Sequence, residues 1–441
     1  MRYAALLIIF LSLPILIVTI GRDRKRRDRA VLAAGVLMFC TGALELSAAL
    51  IVWPAWQGLS KGIILSLLDT IAFSLIFTRH KRLNKTRFLP LILIFTAPIV
   101  LSVAFAPEKQ AAMFVVAQMA QMTVFFVALS GELQRPSALR SLLVGLSIGL
   151  TIQAGYVVFQ KVSGAIQAAG TMPHQNILGM IVELTALPLL AAVLEGEKSK
   201  LVYAGLLSSL IIIAGGGSRG TILYFAIGAA ILIGLSLARN NTARKWRIVG
   251  MGAVACSVAV PMAMATLNDR FGEKSVTTQE TARAAFESAA AEMASDHPLG
   301  VGANNFVSVN NLGGYAARSG LDWAPALRSK PAHNAFLVAR AETGWAGEMA
   351  LILLLGGIVW GGLRAGFQMK KVPFFGVSLG CSAGIFAAAL HSSYEYAILT
   401  ADVQRFLFTD AAIISACMLL MAQTARARNG TTPTGRVKLP A

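Results

Sequence analysis

Long apolar runs separated by short polar gaps recur along the whole chain. Segments such as "ALLIIFLSLPILIVTI", "LVYAGLLSSLIIIAGGG" and "MALILLLGGIVWGGL" contain no charged residue. A helix rises 1.5 Å per residue, so crossing ~30 Å of hydrocarbon takes roughly 17–25 apolar residues. The pattern predicts helices at 3–20, 30–51, 62–78, 88–105, 110–130, 141–160, 176–194, 201–214, 221–238, 247–266, 345–363, 373–390 and 403–422. That gives thirteen spans, or twelve if one weak run is not a span. One interval breaks the rhythm, a long and mostly polar segment at 267–344. The expected fold is therefore an all-α polytopic membrane protein with one large helical loop. The expected organisation is an N-terminal bundle over 1–266, the loop over 267–344, a C-terminal bundle over 345–422 and a basic tail over 423–441.

Charge then assigns sides. Every other gap is basic, and these gaps with the tail hold 26 of the 39 Lys and Arg. Cytoplasmic loops collect Lys and Arg, so the basic gaps are expected inside and the long loop outside. The same bias accounts for the net charge of +18 without any nucleic acid. Of 441 residues 56% are hydrophobic and 14% charged, against roughly a quarter charged in soluble proteins. The four cysteines, Cys40, Cys256, Cys381 and Cys417, all fall in apolar segments and show no disulfide framework. The first run precedes its basic cluster "RDRKRRDR" and has no small-residue cleavage site, so it reads as a retained helix rather than a signal peptide.

A second pattern emerges from the sidedness. Only His80 falls on the cytoplasmic side, whereas His174, His297, His333 and His391 fall outside, with Arg219, Arg270, Arg283, Arg328 and Arg340. Outward cations run against the bias and call for another explanation, of which a site is one. "GGGSRGT" at 215–221 joins two spans on the outer side. Its glycines allow close backbone approach, the following helix offers free N–H groups, and Arg219 adds a fork suited to phosphate. The competing reading is a tight turn with a snorkelling arginine.

Within the loop, Thr277 and Glu280 stand at capping-box spacing, and Phe286, Ala290 and Met293 share a stripe. An amphipathic helix is predicted, with Arg283 on the stripe side; a pair between Arg283 and Glu287 at i,i+4 is the alternative. "HPLGVG" ends it. Pro331 then suits the start of a helix that carries "HNAFLVARAETGWAGEMALILLL" into the bilayer. On it His333, Leu337, Arg340 and Gly344 share a face, and Glu342 is nearly opposite His333. An imidazole at a water-accessible helix end can accept a proton near neutral pH. The bland alternative is a histidine bonded to loop backbone.

Several familiar soluble-enzyme templates do not occur: no HExxH, CxxC or GxxxxGK[ST]. Scattered histidines do not make a metal ligand set, and no cofactor is expected. Acidic residues inside spans, namely Glu45, Asp69, Glu183 and Asp410, are costly in lipid and mark polar interiors. A proton-coupled transporter would show them too.

In their order, "GTMPHQNILG" (170–179), "GSRGT" (217–221), "DHPLGVGANNF" (296–306) and "HNAFLVARAETGWAG" (333–347) resemble the O-antigen ligase and polymerase superfamily of bacterial envelope enzymes. The resemblance covers about 170–350 and implies a metal-independent membrane glycosyltransferase. Its donor would be a glycan on undecaprenyl pyrophosphate. Its acceptor would be a sugar hydroxyl of lipid A–core in a ligase, or another lipid-linked repeat in a polymerase. The setting would be a Gram-negative inner membrane, with lipid around the bundle and the site facing the periplasm. It implies His333 as the essential histidine, Arg219 as the arginine of the "SRG" motif and Arg283, with Arg270 as rival, as the arginine ahead of "HPL". Arg340, Asn334, Ser218, Arg270, His174 and Asn176 accompany them as candidate substrate-binding residues. The single dominant loop and the lack of Arg-x10-Gly spacing from Arg219, Arg270, Arg283, Arg318 or Arg340 resemble a ligase, whereas "GTMPHQN" resembles exopolysaccharide polymerases. A lipid-linked glycan transporter is the rival of a different class.

Overall fold

The computed structural model describes residues 2–40, 47–79, 86–270, 273–370 and 372–428, with the backbone alone at 2, 268–270, 273–280, 326 and 426–428. His80 and Glu45 lie outside the described residues. Helices α1 (Arg2–Ile20) and α2 (Arg24–Leu37) lead into a two-stranded antiparallel hairpin, β1 (Ser47–Val52) and β2 (Gly62–Ser66). After it come α3 (Leu67–Phe77), α4 (Leu89–Ser102), α5 (Lys109–Glu132), α6 (Pro136–Val162), α7 (Gln175–Glu195), α8 (Lys200–Gly216), α9 (Arg219–Arg239) and α10 (Ala243–Arg270). The loop holds α11 (Glu273–Asp296), α12 (Phe306–Leu312), α13 (Tyr315–Arg318) and α14 (Pro325–Arg328). The chain closes with α15 (Ala335–Gln368), α16 (Val377–His391) and α17 (Ala401–Arg428).

Among the described residues nine helices are long and apolar enough to span, and three more are apolar but shorter. This is an all-α polytopic membrane protein. The segments expected to span at 30–51 and 62–78 turn out differently. Their outer parts pair as the hairpin, and α2 and α3 keep only the remaining residues. The reason is local: "WPAWQGLSKG" interrupts two short runs rich in Ile, Val and Leu, and such residues suit a pleated pair. Gly62 makes the pairing possible, since a Cβ there would lie 2.3 Å from the Ile51 carbonyl oxygen. The loop helix also begins earlier than its capping-box spacing suggests, at Glu273, so Thr277 lies inside it; the side chains of Thr277 and Glu280 are outside the described residues.

α7 is the axis of the bundle, with 94% of its apolar window inside the protein, whereas α10 has 6% and faces outward along its length. α16 approaches α7 closely because it is glycine-lined there. A Cβ at Gly380 would come within 2.5 Å of the Leu187 carbonyl oxygen, and one at Gly384 within 2.9 Å of that of Glu183. Small residues give membrane helices this intimacy.

α15 is one helix with a break. Gly344 has φ +68°, a conformation that favours glycine and interrupts the i→i−4 ladder. The "HPLGVG" loop repairs the damage: Val301 N and Gly302 N donate to the carbonyls of Ala341 and Glu342, both at 2.9 Å. Phe306 N donates to Glu342 Oε1 at 3.1 Å. Asn304, itself at φ 63°, donates to the Ser60 and Ala111 carbonyls at 2.7 and 2.9 Å and accepts from Ser60 N at 3.1 Å. This knot fastens the loop to α15, to the start of α5 and to the hairpin.

Candidate functional site

The loop helix α11 buries Phe286, Ala289, Ala290 and Met293 with Val338 and Ala341 of α15. That apolar seam turns Arg283 toward the end of the bundle where α15 begins. Ala335 N donates to the Ser392 carbonyl at 2.8 Å, which ties the start of α15 to the end of α16. The link after α16 therefore lies beside His333, and it carries Glu395 between Tyr394 and Tyr396.

Three sequence-predicted residues meet on that carboxylate. His333 Nδ1 stands 3.1 Å from Glu395 Oε2. Asn176, in the first turn of α7, donates through Nδ2 to Glu395 Oε1. Arg283 Nη2 lies 3.9 Å from Oε1, an ion-pair distance rather than a hydrogen bond. The guanidinium also stands over the Tyr394 ring at 5.7 Å. The His333 ring touches Phe286 at 6.0 Å and Tyr396 at 5.6 Å between centroids. Glu395 is 7% exposed, His333 22% and Arg283 37%, so the carboxylate is buried while the imidazole and the guanidinium stay partly exposed.

Burial alone would raise the Glu395 carboxyl. The hydrogen bond and charge of His333, with the imidazoles of His391 and His174, outweigh it and hold the group below its ordinary value. An ionised carboxylate at Nδ1 favours the tautomer with its proton there, leaving Nε2 as the basic nitrogen. The Tyr396 hydroxyl is pushed up to about 12 by burial and then by the Glu395 charge, so it stays protonated.

His174 is the N-cap of α7, its Nδ1 accepting from Asn176 N at 3.3 Å. Arg219 opens α9 and is exposed. Its turn is built as its glycines suggest: Gly217 ends α8 at φ +59° and Ser218 caps α9, accepting from Thr221 N at 3.3 Å. The next residue, Gly220, packs on His391, whose Nε2 would lie 2.7 Å from a Cβ there. His391 stacks on Tyr224 at 5.0 Å, Tyr224 meets Tyr394 at 6.2 Å, and Arg283 covers Tyr394. Arg219 therefore stands at the same end of the bundle as the Glu395 cluster, linked through a layer of rings.

Other candidates have structural employment. Arg340 forms a bidentate pair with Glu348, at 2.5 and 3.0 Å, and lies over Trp345 at 3.7 Å, bracing the Gly344 break. Asn334 caps α15, accepting from Phe336 N and Leu337 N at 3.1 and 3.2 Å. His333 thus precedes the helix instead of lying on its face. Arg328 bonds the Leu321 and Asp322 carbonyls. The Arg270 side chain lies outside the described residues. Of the spanning acids, Asp69 completes a capping box with Ser66, and Glu183 pairs with His391 at 2.8 Å. Among the described residues no three His, Cys, Asp or Glu side chains are gathered to hold a metal.

Residues 204–352 match the family model described as O-antigen ligase. The match contains Arg283 and His333 of the Glu395 cluster, and Arg219 at the same end of the bundle. Over this interval the chain is similar to that family, which supports the O-antigen ligase/polymerase superfamily. No curated protein matches the chain. The family domain is completed from outside the matched interval, because Asn176 lies before it and Glu395 after it. Glu395 is also the residue that sequence reasoning missed. Its signal was a carboxylate in "SSYEYA", with two tyrosines beside it and His391 just upstream.

Proposed function

We propose that the protein is an O-antigen ligase, moving a glycan from undecaprenyl pyrophosphate to a sugar hydroxyl of lipid A–core at the periplasmic face of a Gram-negative inner membrane. The observation that carries this reading is the single carboxylate shared by His333, Arg283 and Asn176. Glu395 orients the imidazole and stabilises the cation it becomes, while Arg283 and Arg219 face the leaving group. The acceptor O–H gives its proton to His333 Nε2, and the oxygen attacks the anomeric carbon. The bond from that carbon to the pyrophosphate oxygen breaks, and its electron pair leaves with undecaprenyl pyrophosphate. Arginine forks neutralise the growing charge in a preorganised site without a metal. One displacement inverts the anomeric centre.

A polymerase of the same superfamily is the second reading. It is favoured by the "GTMPHQN" segment, which delivers Asn176 to Glu395 and caps its helix with His174.

The test is a chromosomal deletion complemented by wild type or His333→Ala, with membrane insertion checked by blotting. For the ligase, His333→Ala leaves core without O-antigen while long lipid-linked chains accumulate, a loss of ~10²–10⁴ in transfer rate. Core carrying single repeats identifies the polymerase. Full transfer by His333→Ala removes the imidazole from the mechanism.

A further inference from the structure

Beside the cluster lies a chamber of about 730 Å³, within the ~300–1,000 Å³ of sites that take small ligands. Its wall includes Tyr396, whose ring contacts His333, and Pro331, two residues before it. Phe286, Arg283 and Arg219 do not line it. His333 does not line it either; the chamber reaches the imidazole through the Tyr396 ring, on the side away from the arginines, and leads off under the hairpin.

That space is polar and charged. The hairpin contributes Lys61, α5 contributes Gln118, and the start of α17 contributes Asp402 and Arg405. Lys61 is exposed and, among the described residues, forms no ion pair. Arg405 Nη1 stands 3.6 Å from Asp402 Oδ1, a loose pair that leaves other guanidinium N–H groups for a ligand. Gln118 Nε2 donates to Leu399 O and Gln404 Oε1 at 3.2 and 2.8 Å, which keeps its oxygen as an acceptor. Sugar hydroxyls both donate and accept, and an aromatic ring offers a face to sugar C–H groups. The wall itself carries two cations, Lys61 and Arg405, and one acid, Asp402, with Asp69 also interacting with Arg405 from behind it, so the exposed Lys61 is the cation left to select negative charge.

We propose that this chamber seats the acceptor glycan and that the sugar it takes carries an acidic group. The assignment rests on the reading of His333 as the base, because a base must touch the acceptor hydroxyl while the donor diphosphate is held by the arginines. Donor and acceptor then approach one imidazole from different compartments, and Lys61 with Arg405 recognises the acceptor's carboxylate or phosphate.

Binding to the full-length protein in detergent separates the two sites. The acceptor probe is tri-galacturonate, with its uncharged methyl ester as control, and the donor probe is farnesyl pyrophosphate. Tri-galacturonate is expected to bind better than the ester and to weaken about tenfold in Lys61→Gln and in Arg405→Gln, as loss of a charge-assisted contact requires. Farnesyl pyrophosphate should bind those variants as it binds wild type, and should be lost in Arg283→Ala. Lys61 is on an exposed strand end, so its variant keeps the measurement valid if Arg405→Gln folds poorly. Equal binding of the ester, unchanged tri-galacturonate binding in both variants, or equal competition by inorganic phosphate would overturn the chamber assignment. Pyrophosphate binding that ignores Arg283 while tri-galacturonate still needs Lys61 and Arg405 supports the chamber and overturns the donor reading instead.

Discussion

At the residue scale a single carboxylate gathers His333, Arg283 and Asn176. Glu395→Gln keeps the shape but removes the charge that fixes the His333 tautomer, so kcat should fall roughly 10- to 100-fold with donor KM changed much less. Its pH signature has a definite sign. The folded-state carboxyl lies below its ordinary 4.5, so its contribution to stability is complete above that pH and fades as pH falls through the lowered value. Thermal unfolding of wild type should show an acid limb below pH 4.5 that Glu395→Gln lacks. Arg219→Ala and Arg283→Ala should raise donor KM, and Lys should restore only part of it, since an ammonium lacks the fork. Arg340→Ala should behave differently, lowering the unfolding temperature with donor KM intact, because its partner is Glu348. His333, Arg219 and Arg283 could be singled out as candidates because motifs in one stretch of chain carry them. Glu395 was not, because its partnership spans 62 residues to His333 and still more to Asn176, and no periodicity encodes a contact between separate elements.

Elements were legible where one physical rule governed them. Long uncharged runs became helices, and the glycines of "GGGSRGT" became the C-cap of α8 and the turn into α9. The hairpin escaped notice because its strands are short apolar runs that continue into α3 or follow α2, and hydropathy does not separate a half-span from a strand. The role of "HPLGVG" was hidden for a similar reason. It reads as a helix terminator, yet its main task is to supply N–H donors to the carbonyls that Gly344 frees in α15. Gly344→Ala tests this joint directly. A Cβ would stand 2.5 Å from the Pro298 carbonyl oxygen, on a backbone at φ +68°. The cost should be about 1–3 kcal/mol, read as a lower unfolding temperature in detergent, with Arg283 and transfer rate lost together because α11 packs on this part of α15.

On the scale of the whole molecule, the end of the bundle opposite the Glu395 cluster is locked. Arg239, with a fully buried side chain, pairs with Glu195 and bonds the Gly366, Met369 and Val372 carbonyls at 2.9, 3.0 and 2.7 Å. Lys245 Nζ joins Glu195 at 2.8 Å. Four helices, α7, α9, α10 and α15, are thus riveted at one point. Arg239→Ala leaves a buried carboxylate short of a partner and should cost about 3–5 kcal/mol, measured by denaturant unfolding. Composition and charge alternation disclosed the membrane class and an expected orientation, but nothing in them disclosed this rivet.

The carboxylate at position 395 has a consequence for biosynthesis. Asn176, Arg283 and His333 leave the ribosome long before it does, and the link that bears it stands between the last two long helices. A nascent chain halted ahead of that link would already hold its imidazole and guanidinium groups, yet they would face a vacant centre. Under the proposed mechanism such a chain would carry the cations without the carboxylate that orients the imidazole, and transfer would await the segment that follows α16.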